Sequence, residues 1–570
     1  MLRKLYLLVP LLSIAAVLLA GGPSLYASES RDLVAAEISA LLGQTEPEAQ
    51  FYPELGPLVD VRKISGLYAE RRYRPLWLVG SRLHPAAGQL VEHLRNAPGH
   101  GLCSSAYLLN ELETLLRLHD SLGTFDRALA PFSLATLDIL LSQSFLKYAT
   151  HLVEGQVDPA LAHVDWRARR RKADLAKLLD YALTNDRLDQ VLAGLMPPHI
   201  GYAALTAALQ NYRTLAALGG WPVVPAGDAM RLGDRDARLP LLRKRLALTG
   251  DLDLETVGAG EVYGSAEQVA VRDFQARHGL IEDGVVGPRT LAALNVPVAQ
   301  RIRQIELNLE RWRWLPKELG ERHIRINIAD FSLQLVEDGR PVLSMPVVVG
   351  TAYRKTPVFS ARMTYLEFAP TWIVPPTILR EDKLPAIKAN PGYLDEHHFR
   401  ILQRQDGEWV EIEADRIAWE EIEAEKFPGL LRQDPGPWNP LGRVKFMFPN
   451  SFNVYLHDTN QPQLFLSNRR SYSSGCIRIE RPVELANYLL ADVPDWDSRR
   501  IEAALRHPEP IRAKIPPVPV HIQYWTVWVD EKKRVQFRPD IYHRDLDLEV
   551  ALSEPGYQVE MNLEINRSGG

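Results

Sequence analysis

Two side chains in this 570-residue sequence could carry nucleophilic chemistry together: Cys476, in the stretch Ser473-Ser474-Gly475-Cys476-Ile477-Arg478-Ile479-Glu480, and His457, nineteen residues before it. A thiolate is the reactive form of cysteine. A neighbouring imidazolium stabilises that anion and later supplies a proton to a leaving amine, so the pair implies acyl transfer. Strand alternation buries Ile477 and Ile479 and turns Cys476, Arg478 and Glu480 to the opposite face. Gly475 permits close backbone approach to a ligand, which places the amides of Gly475 and Cys476 to face an oxyanion. Around Pro449-Asn450-Ser451, a period of two sets Phe452, Val454 and Leu456 on one face and Asn453, Tyr455 and His457 on the other. On spacing alone a buried, inert cysteine is the commoner outcome.

Positioning that face requires a sheet. Ile324, Ile326 and Ile328 alternate with Arg325 and Asn327, and Asp338-Gly339 turns between runs at 333–336 and 342–349. β-type segments continue at 363–368, 372–374, 444–448 and 452–457, and a late pair at 522–529 and 534–537 is expected to return to the same sheet. A polar insertion at about 377–437, acidic in part and closed by Asp434-Pro435-Gly436-Pro437, has the length of a lid or binding loop. Upstream, Ile302, Ile305, Leu309 and Trp312 are spaced to cover one face of an amphipathic helix. Before it, 239–295 reads as three short helices, with Leu239, Leu242 and Leu246 on one stripe, Val271 and Phe274 on another, and Pro288 at a first helical position. The leading portion is rich in Leu, Ala and Arg at helical spacing, as in Leu134, Leu137 and Leu141; its basic run Arg167, Arg169, Arg170, Arg171, Lys172 reads as a solvated helix face. The fold class is multidomain α+β: a helical scaffold at 30–230, a small three-helix module at 235–297, a linker helix at 298–318, a β-rich domain at 320–545 with its cap at about 377–437, and a C-terminal tail at 546–570.

Composition narrows the function. An apolar fraction of 46% with 24% charged residues is that of a globular chain, and the balance 66 − 71 = −5 offers nothing to draw it to nucleic acid. Cys103 and Cys476 are too few for a disulfide framework or a four-thiolate zinc site; either they pair or one is there for its chemistry. No metal or cofactor is expected. Arg3 and Lys4 precede an apolar run at 5–20 and a small-residue exit at Leu25-Tyr26-Ala27, so 1–27 reads as an export signal and the body lies outside the cytoplasm. A retained membrane anchor is the alternative, although the run falls short of the ~20 residues a span needs.

The run His457-Asp458-Thr459 followed by Ser473-Ser474-Gly475-Cys476-Ile477-Arg478 resembles the signature of the YkuD-type L,D-transpeptidases. RYRPLWL at 72–78, NLERWRWLP at 308–316, TWIVPPTIL at 371–379, NPGYL at 390–394 and VQFRPDIY at 535–542 look like the large YcbB-like branch, and 270–296 resembles the peptidoglycan-binding three-helix module. The resemblance implies Cys476 as nucleophile, His457 as base and acid, and a backbone carbonyl, matched here by Asp458, as the third member. Gly475 and Ser474 complete the catalytic group it implies, while Arg478, Tyr455, Ser473 and Trp372 would bind substrate. Ser474 departs from the pattern, since many members carry a second histidine there. The implied reaction is attack of Cys476 on the diaminopimelate carbonyl of a tetrapeptide stem with loss of D-Ala, then resolution of the thioester by the amine of a second stem, giving a 3→3 cross-link. The implied partner is peptidoglycan, the implied compartment the periplasm, with membrane contact only if the N-terminal segment is uncleaved; the sequence specifies no protein partner.

Other readings stay open. Water in place of the amine makes the same site an L,D-carboxypeptidase, and an idle site leaves a wall-binding scaffold. A serine transpeptidase is hinted at by Ser144-Phe145-Leu146-Lys147, Ser451-Phe452-Asn453 and Lys355-Thr356-Pro357, but proline replaces the required glycine and the order is wrong. A zinc hydrolase using the His397-His398 pair lacks a metal-ligand frame.

Overall fold

The computed structural model describes residues 23–43, 61–79, 82–121, 130–163, 165–167, 170–256, 260–390 and 392–553. Residues 1–22 of the expected export signal and 554–570 of the expected tail lie outside them. Among the described residues no single helix is long and apolar enough to cross a membrane. The chain forms two compact units.

The first unit draws on 1–98, 102–152 and 173–196 and is helical. Its spine is the helix Ala130–Glu154, whose Leu134, Leu137 and Leu141 are buried as their spacing requires. In the middle of that apolar surface Asp138 is buried, and it is tolerated because its lone pairs are filled. Trp77 and Leu76 amides donate at 2.7 and 3.0 Å and the Tyr68 hydroxyl at 2.5 Å. Ser144, the serine of the S-x-x-K match, is buried on this helix and donates to the Tyr107 carbonyl at 2.9 Å.

The second unit takes 99–101, 153–172 and 197–570. The scaffold expected at 30–230 therefore does not form one body. Trp166 is the physical reason: it packs edge-on against Trp314 at 5.0 Å and is part of the β-rich core, so it draws 153–172 with it. The basic run is accordingly not a helix face. Trp166–Arg167 is a short strand, and Arg170 is paired with Asp158 at 2.5 Å.

The three-helix module forms as expected from Leu239–Ala247, Ser265–Arg277 and Pro288–Leu294 around Leu242, Leu246, Val271 and Phe274. Its Gln275 carboxamide grips the turn at Asp283-Gly284, donating to Asp283 at 2.8 Å and accepting from the Gly284 amide at 2.8 Å. The next helix, Val298–Arg313, is more than an amphipathic linker. Residues 307–313 are buried all round, with Glu310 paired to Arg313 at 2.7 Å and Asn308 accepting from the Thr526 amide at 3.0 Å.

The β-rich domain comprises strands β1 Arg322–Asn327, β2 Ser332–Glu337, β3 Arg340–Gly350, β4 Val358–Phe368, β5 Trp372–Ile373, β6 Phe399–Gln405, β7 Glu408–Ile412, β8 Leu430–Gln433, β9 Val444–Met447, β10 Leu456–His457, β11 Ser471–Ser473, β12 Ile477–Ile479, β13 Ile511–Gln523, β14 Val527–Val529 and β15 Val535–Phe537. The order β9-β10-β12-β3-β2-β1-β13-β4 closes on itself, because β4 also pairs with β9. Closure removes the exposed edges of the sheet and encloses an apolar core that includes Ile324, Ile326, Leu456, Ile477 and Val520. Strand β13 escapes sequence reading because Pro516, Pro517 and Pro519 break its pattern; its register shifts between Lys514 and Val518, where Pro516 and Pro517 sit.

Three strand expectations change. Only Leu456–His457 of 452–457 is strand, since the Asn450 carboxamide takes the amides of Phe452 and Val454 at 3.0 and 3.2 Å and leaves Asn453 left-handed at φ 54°. The late pair β14 and β15 forms its own two-stranded sheet. β5, with Trp372, belongs to the insertion, where β7-β6-β8-β5 make a four-stranded sheet over a separate core including Ile387, Phe399 and Leu431. The tail expected from 546 is also helical at its start: the helix Arg544–Ser553 buries Leu548 and Ala551 in the main core.

Candidate active site

Parallel pairing of β10 with β12 sets Leu456 beside Ile477 and His457 beside Arg478. Leu456 and Ile477 are fully buried in the core, so the strand period turns Tyr455, His457, Cys476 and Arg478 outward on one surface. The Ile477 amide donates to the Tyr455 carbonyl at 3.2 Å, fixing Tyr455 across from Cys476. On the other side of β10, antiparallel β9 places Lys445 beside His457.

His457 is buried, and its Nδ1 donates to the Asp458 carbonyl at 2.6 Å. A carbonyl only accepts, so the proton sits on Nδ1 and Nε2 carries the basic lone pair. Asp458 is held for this task by its own side chain, which accepts from the Arg443 amide at 2.9 Å and the Thr459 amide at 2.8 Å. Gly442 makes room: at φ 60° it is left-handed, and a Cβ there would come within 2.5 Å of the Asp458 side chain. Burial, then the positive charge of Arg478, pushes the imidazole down to about 3.

Cys476 is half-buried, and burial pushes its thiol up; the Tyr455 backbone and hydroxyl, with the charges of Lys445 and Arg478, pull the other way. At rest the cleft thus holds a neutral thiol and a neutral imidazole, where the sequence suggested a standing imidazolium and thiolate. Both cysteines are thiols; Cys103 is exposed in the helical unit with Sγ 3.0 Å from Ser105 Oγ.

The turn before Cys476 is locked from behind. Gly475 stands at φ 114°, a conformation open to glycine, and its carbonyl accepts from Thr356 Oγ1 at 2.8 Å. Thr356 Oγ1 also receives the Gly350 amide at 2.9 Å, and the Tyr542 hydroxyl donates to the Gly350 carbonyl at 2.5 Å. The Gly475 amide donates to Ser473 Oγ at 3.1 Å, and Ser473 Oγ donates to the Cys476 carbonyl at 2.5 Å. This corrects one expectation: the Gly475 amide is spent on Ser473 and does not face an oxyanion. Ser473 accordingly braces the turn.

Ser474 is exposed and accepts from Arg354 at 2.9 Å. Arg354 in turn pairs with Glu381 at 2.5 Å and Asp382 at 3.0 Å on the insertion, so the position that departs from the usual histidine is a tie between the Cys476 turn and the insertion.

Cys476, His457, Tyr455, Arg478, Ser473, Ser474 and Trp372 all line one cleft of ≈ 380 Å³, walled on the far side by the cap residues Lys383, Tyr393 and Phe399 and by Trp438. Asp458 and Gly475 act from behind it. His397 packs on Tyr393 and His398 stacks on Trp438, which commits the histidine pair of the zinc reading to aromatic contacts. Sequence reasoning missed Lys445, Arg354, Thr356 and Lys383. Lys445 alone left a signal, since it stands at period two in 444–448, but its facing depends on a hairpin register that only β9 and β10 reveal.

Comparison with known proteins matches residues 321–517 to the YkuD family, described as the L,D-transpeptidase catalytic domain. Residues 237–294 match the family described as "Putative peptidoglycan binding domain", and 62–209 match a scaffold domain family. A Haemophilus influenzae protein named "Putative L,D-transpeptidase" is 35% identical over 250 residues, 44% of this chain and 49% of that protein, so the match spans about half the relative's length. N-acetylmuramoyl-L-alanine amidase CwlM of Mycobacterium tuberculosis is 41% identical over 75 residues, 12% of this chain and 18% of its own. A crystal structure of the L,D-transpeptidase (residues 123–326) of Xylanimonas cellulosilytica aligns with 52% of this chain and 99% of its own at 18% identity, with a TM-score of 0.18 that is too low to bear on function.

Proposed function

We propose that this chain, which carries the L,D-transpeptidase catalytic domain of the YkuD family and a peptidoglycan-binding domain, forms 3→3 peptidoglycan cross-links through a thioester on Cys476. The observation that carries the reading is the shared surface of β10 and β12, which sets Cys476 and a tautomerically defined His457 in one cleft. In the first step Cys476 Sγ attacks the carbonyl of the L-centre of diaminopimelate in a tetrapeptide stem, and His457 Nε2 takes the thiol proton. A neutral imidazole is able to accept it; an imidazolium would not. The negative charge gathers on the carbonyl oxygen, and with the Gly475 amide occupied by Ser473 and the Tyr455 hydroxyl engaged at the Cys476 sulfur, the Cys476 amide is the donor that meets it. The carbon–nitrogen bond breaks as His457 returns the proton to the amine of D-Ala, leaving the thioester. The neutral amine of a second stem's diaminopimelate then attacks, His457 again taking and returning a proton, and the thiol is regenerated as the new amide forms.

Arg478 and Trp372 line the path of the stem and bind it, and Lys445 and Arg478 stabilise the thiolate as it forms. The binding module tethers the chain to its polymer, and the work is done in the periplasm, reached through the export signal. Intact-protein mass spectrometry with a soluble disaccharide-tetrapeptide tests the first step. The expected species is a tripeptide adduct on Cys476 with release of D-Ala, absent in Cys476→Ala; an adduct on Ser144, or one that survives Cys476→Ala, would contradict the cysteine mechanism.

A further inference from the structure

The cap holds a cation in an unusual setting. Lys383 Nζ lies 5.7 Å from the ring centre of Trp372, 5.6 Å from Tyr393 and 5.7 Å from Phe399, and donates to the Tyr393 hydroxyl at 3.0 Å. Three aromatic faces hold an ammonium in place, but they do not neutralise it. The acidic side chains closest in sequence are already engaged: Glu381 and Asp382 both pair with Arg354. Lys383 has no acidic partner among the described residues, and it lines the cleft that ends at Cys476. Arg478, on the cleft's other wall, is likewise bound to neutral groups, Gln461 Oε1 at 2.8 Å and Thr459 Oγ1 at 3.3 Å. Two unneutralised cations facing one cleft call for an anionic occupant. The cage itself is filled by the lysine, so it has no room for a substrate ammonium, which the same charge would also repel.

We propose that Lys383 is a carboxylate-binding residue that reads a free carboxylate of the donor stem, with the aromatic rings fixing its ammonium for that contact. The inference rests on the reading of the cleft as a stem-peptide site. Two carboxylates of the donor could be the one read: that of the terminal D-Ala, and the side-chain carboxylate of diaminopimelate.

Calorimetric titration of the full chain carrying Cys476→Ala with the soluble disaccharide-tetrapeptide tests this without turnover. Adding Lys383→Met, which keeps the stem of the side chain among the rings, is expected to weaken binding about ten- to a hundredfold, the range of one charge-assisted hydrogen bond. Adding Lys383→Arg instead should restore most of the affinity. A tetrapeptide amidated at the carboxylate that is read should bind the lysine protein as weakly as the Met variant binds the parent peptide, and the Met variant should not distinguish the two. Amidation at D-Ala and at diaminopimelate, tried separately, identifies which carboxylate it is. Equal affinity of lysine and methionine proteins, with unchanged melting temperature, overturns the Lys383 assignment and leaves the stem-peptide reading standing. No binding of the tetrapeptide to the lysine protein overturns both.

Discussion

His457 and Cys476 line one cleft as neutral groups, and that has a measurable consequence. Because burial raises the thiol and no imidazolium is present to lower it, the thiolate fraction at neutral pH is small. In a Cys103→Ser background, alkylation of Cys476 by iodoacetamide should therefore be slow at pH 7 and climb about tenfold per pH unit up to pH 9, following the thiolate. A rate already at its plateau by pH 7 would mean a standing ion pair and would contradict the geometry described. The identity of these two residues was legible from the run around Cys476 and from His457-Asp458. Their charge state was not, because it depends on how deeply β10 is buried and on Arg478 and Lys445, which join the site through strand register.

Among the elements, the turn that carries Cys476 depends on a side chain from outside it. Thr356, between β3 and β4, donates to the Gly475 carbonyl and is itself fully buried. Thr356→Val keeps the shape and removes the donor, so a buried carbonyl loses its partner at a cost of about 1–3 kcal/mol. If that cost falls on the placement of Cys476, kcat drops about tenfold or more at nearly constant KM, and Thr356→Ser recovers most of it. Steady-state kinetics on a soluble tetrapeptide decides; an unchanged kcat in Thr356→Val would make the contact structural only. Gly475→Ala should also hurt, and through conformation: at φ 114° an alanine is strained by about 1–3 kcal/mol, while its Cβ would meet Lys355 O and Arg354 O at an ordinary 3.6 and 3.9 Å. Local pattern revealed β1 to β4 and the module's helices well, since each alternates or repeats over its own length. It failed where side chains overrule pattern: Asn450 ends a strand early, and the prolines of β13 disguise a long one.

Over the whole second unit, buried neutral histidines make the fold sensitive to acid. Burial, with nearby cations, lowers His457 to about 3, His163 to about 2 and His521 to about 4. These folded values lie below the ~6.5 of an unfolded histidine. The unfolded chain therefore binds more protons below pH 6.5, and stability is lost as pH falls from there toward the folded values. At pH 5 each group costs about 2 kcal/mol, roughly 6 kcal/mol for the three together. Asp138, pushed up to about 6 by burial, has the opposite sign but belongs to the other unit. Urea unfolding followed by tryptophan fluorescence should show the β-rich unit losing stability between pH 6.5 and 5; a constant midpoint over that interval would mean these histidines are not buried as neutral groups. The division of the chain was the least legible feature. Trp166 and the helix Ile200–Ala217 lie in a stretch whose composition is helical throughout, and only their packing assigns them to the second unit.

In the mechanism proposed for this cleft an amine, and not water, takes the acyl group from Cys476. Mass analysis of the products after incubating the protein with purified disaccharide-tetrapeptides tests it most directly. The expected products are dimers that have lost one D-Ala per bond and are joined between two diaminopimelate residues, and none with Cys476→Ala or, within detection, with His457→Ala. Tripeptide monomers alone would show hydrolysis in place of transfer, and dimers formed by Cys476→Ala would rule out a thioester on Cys476.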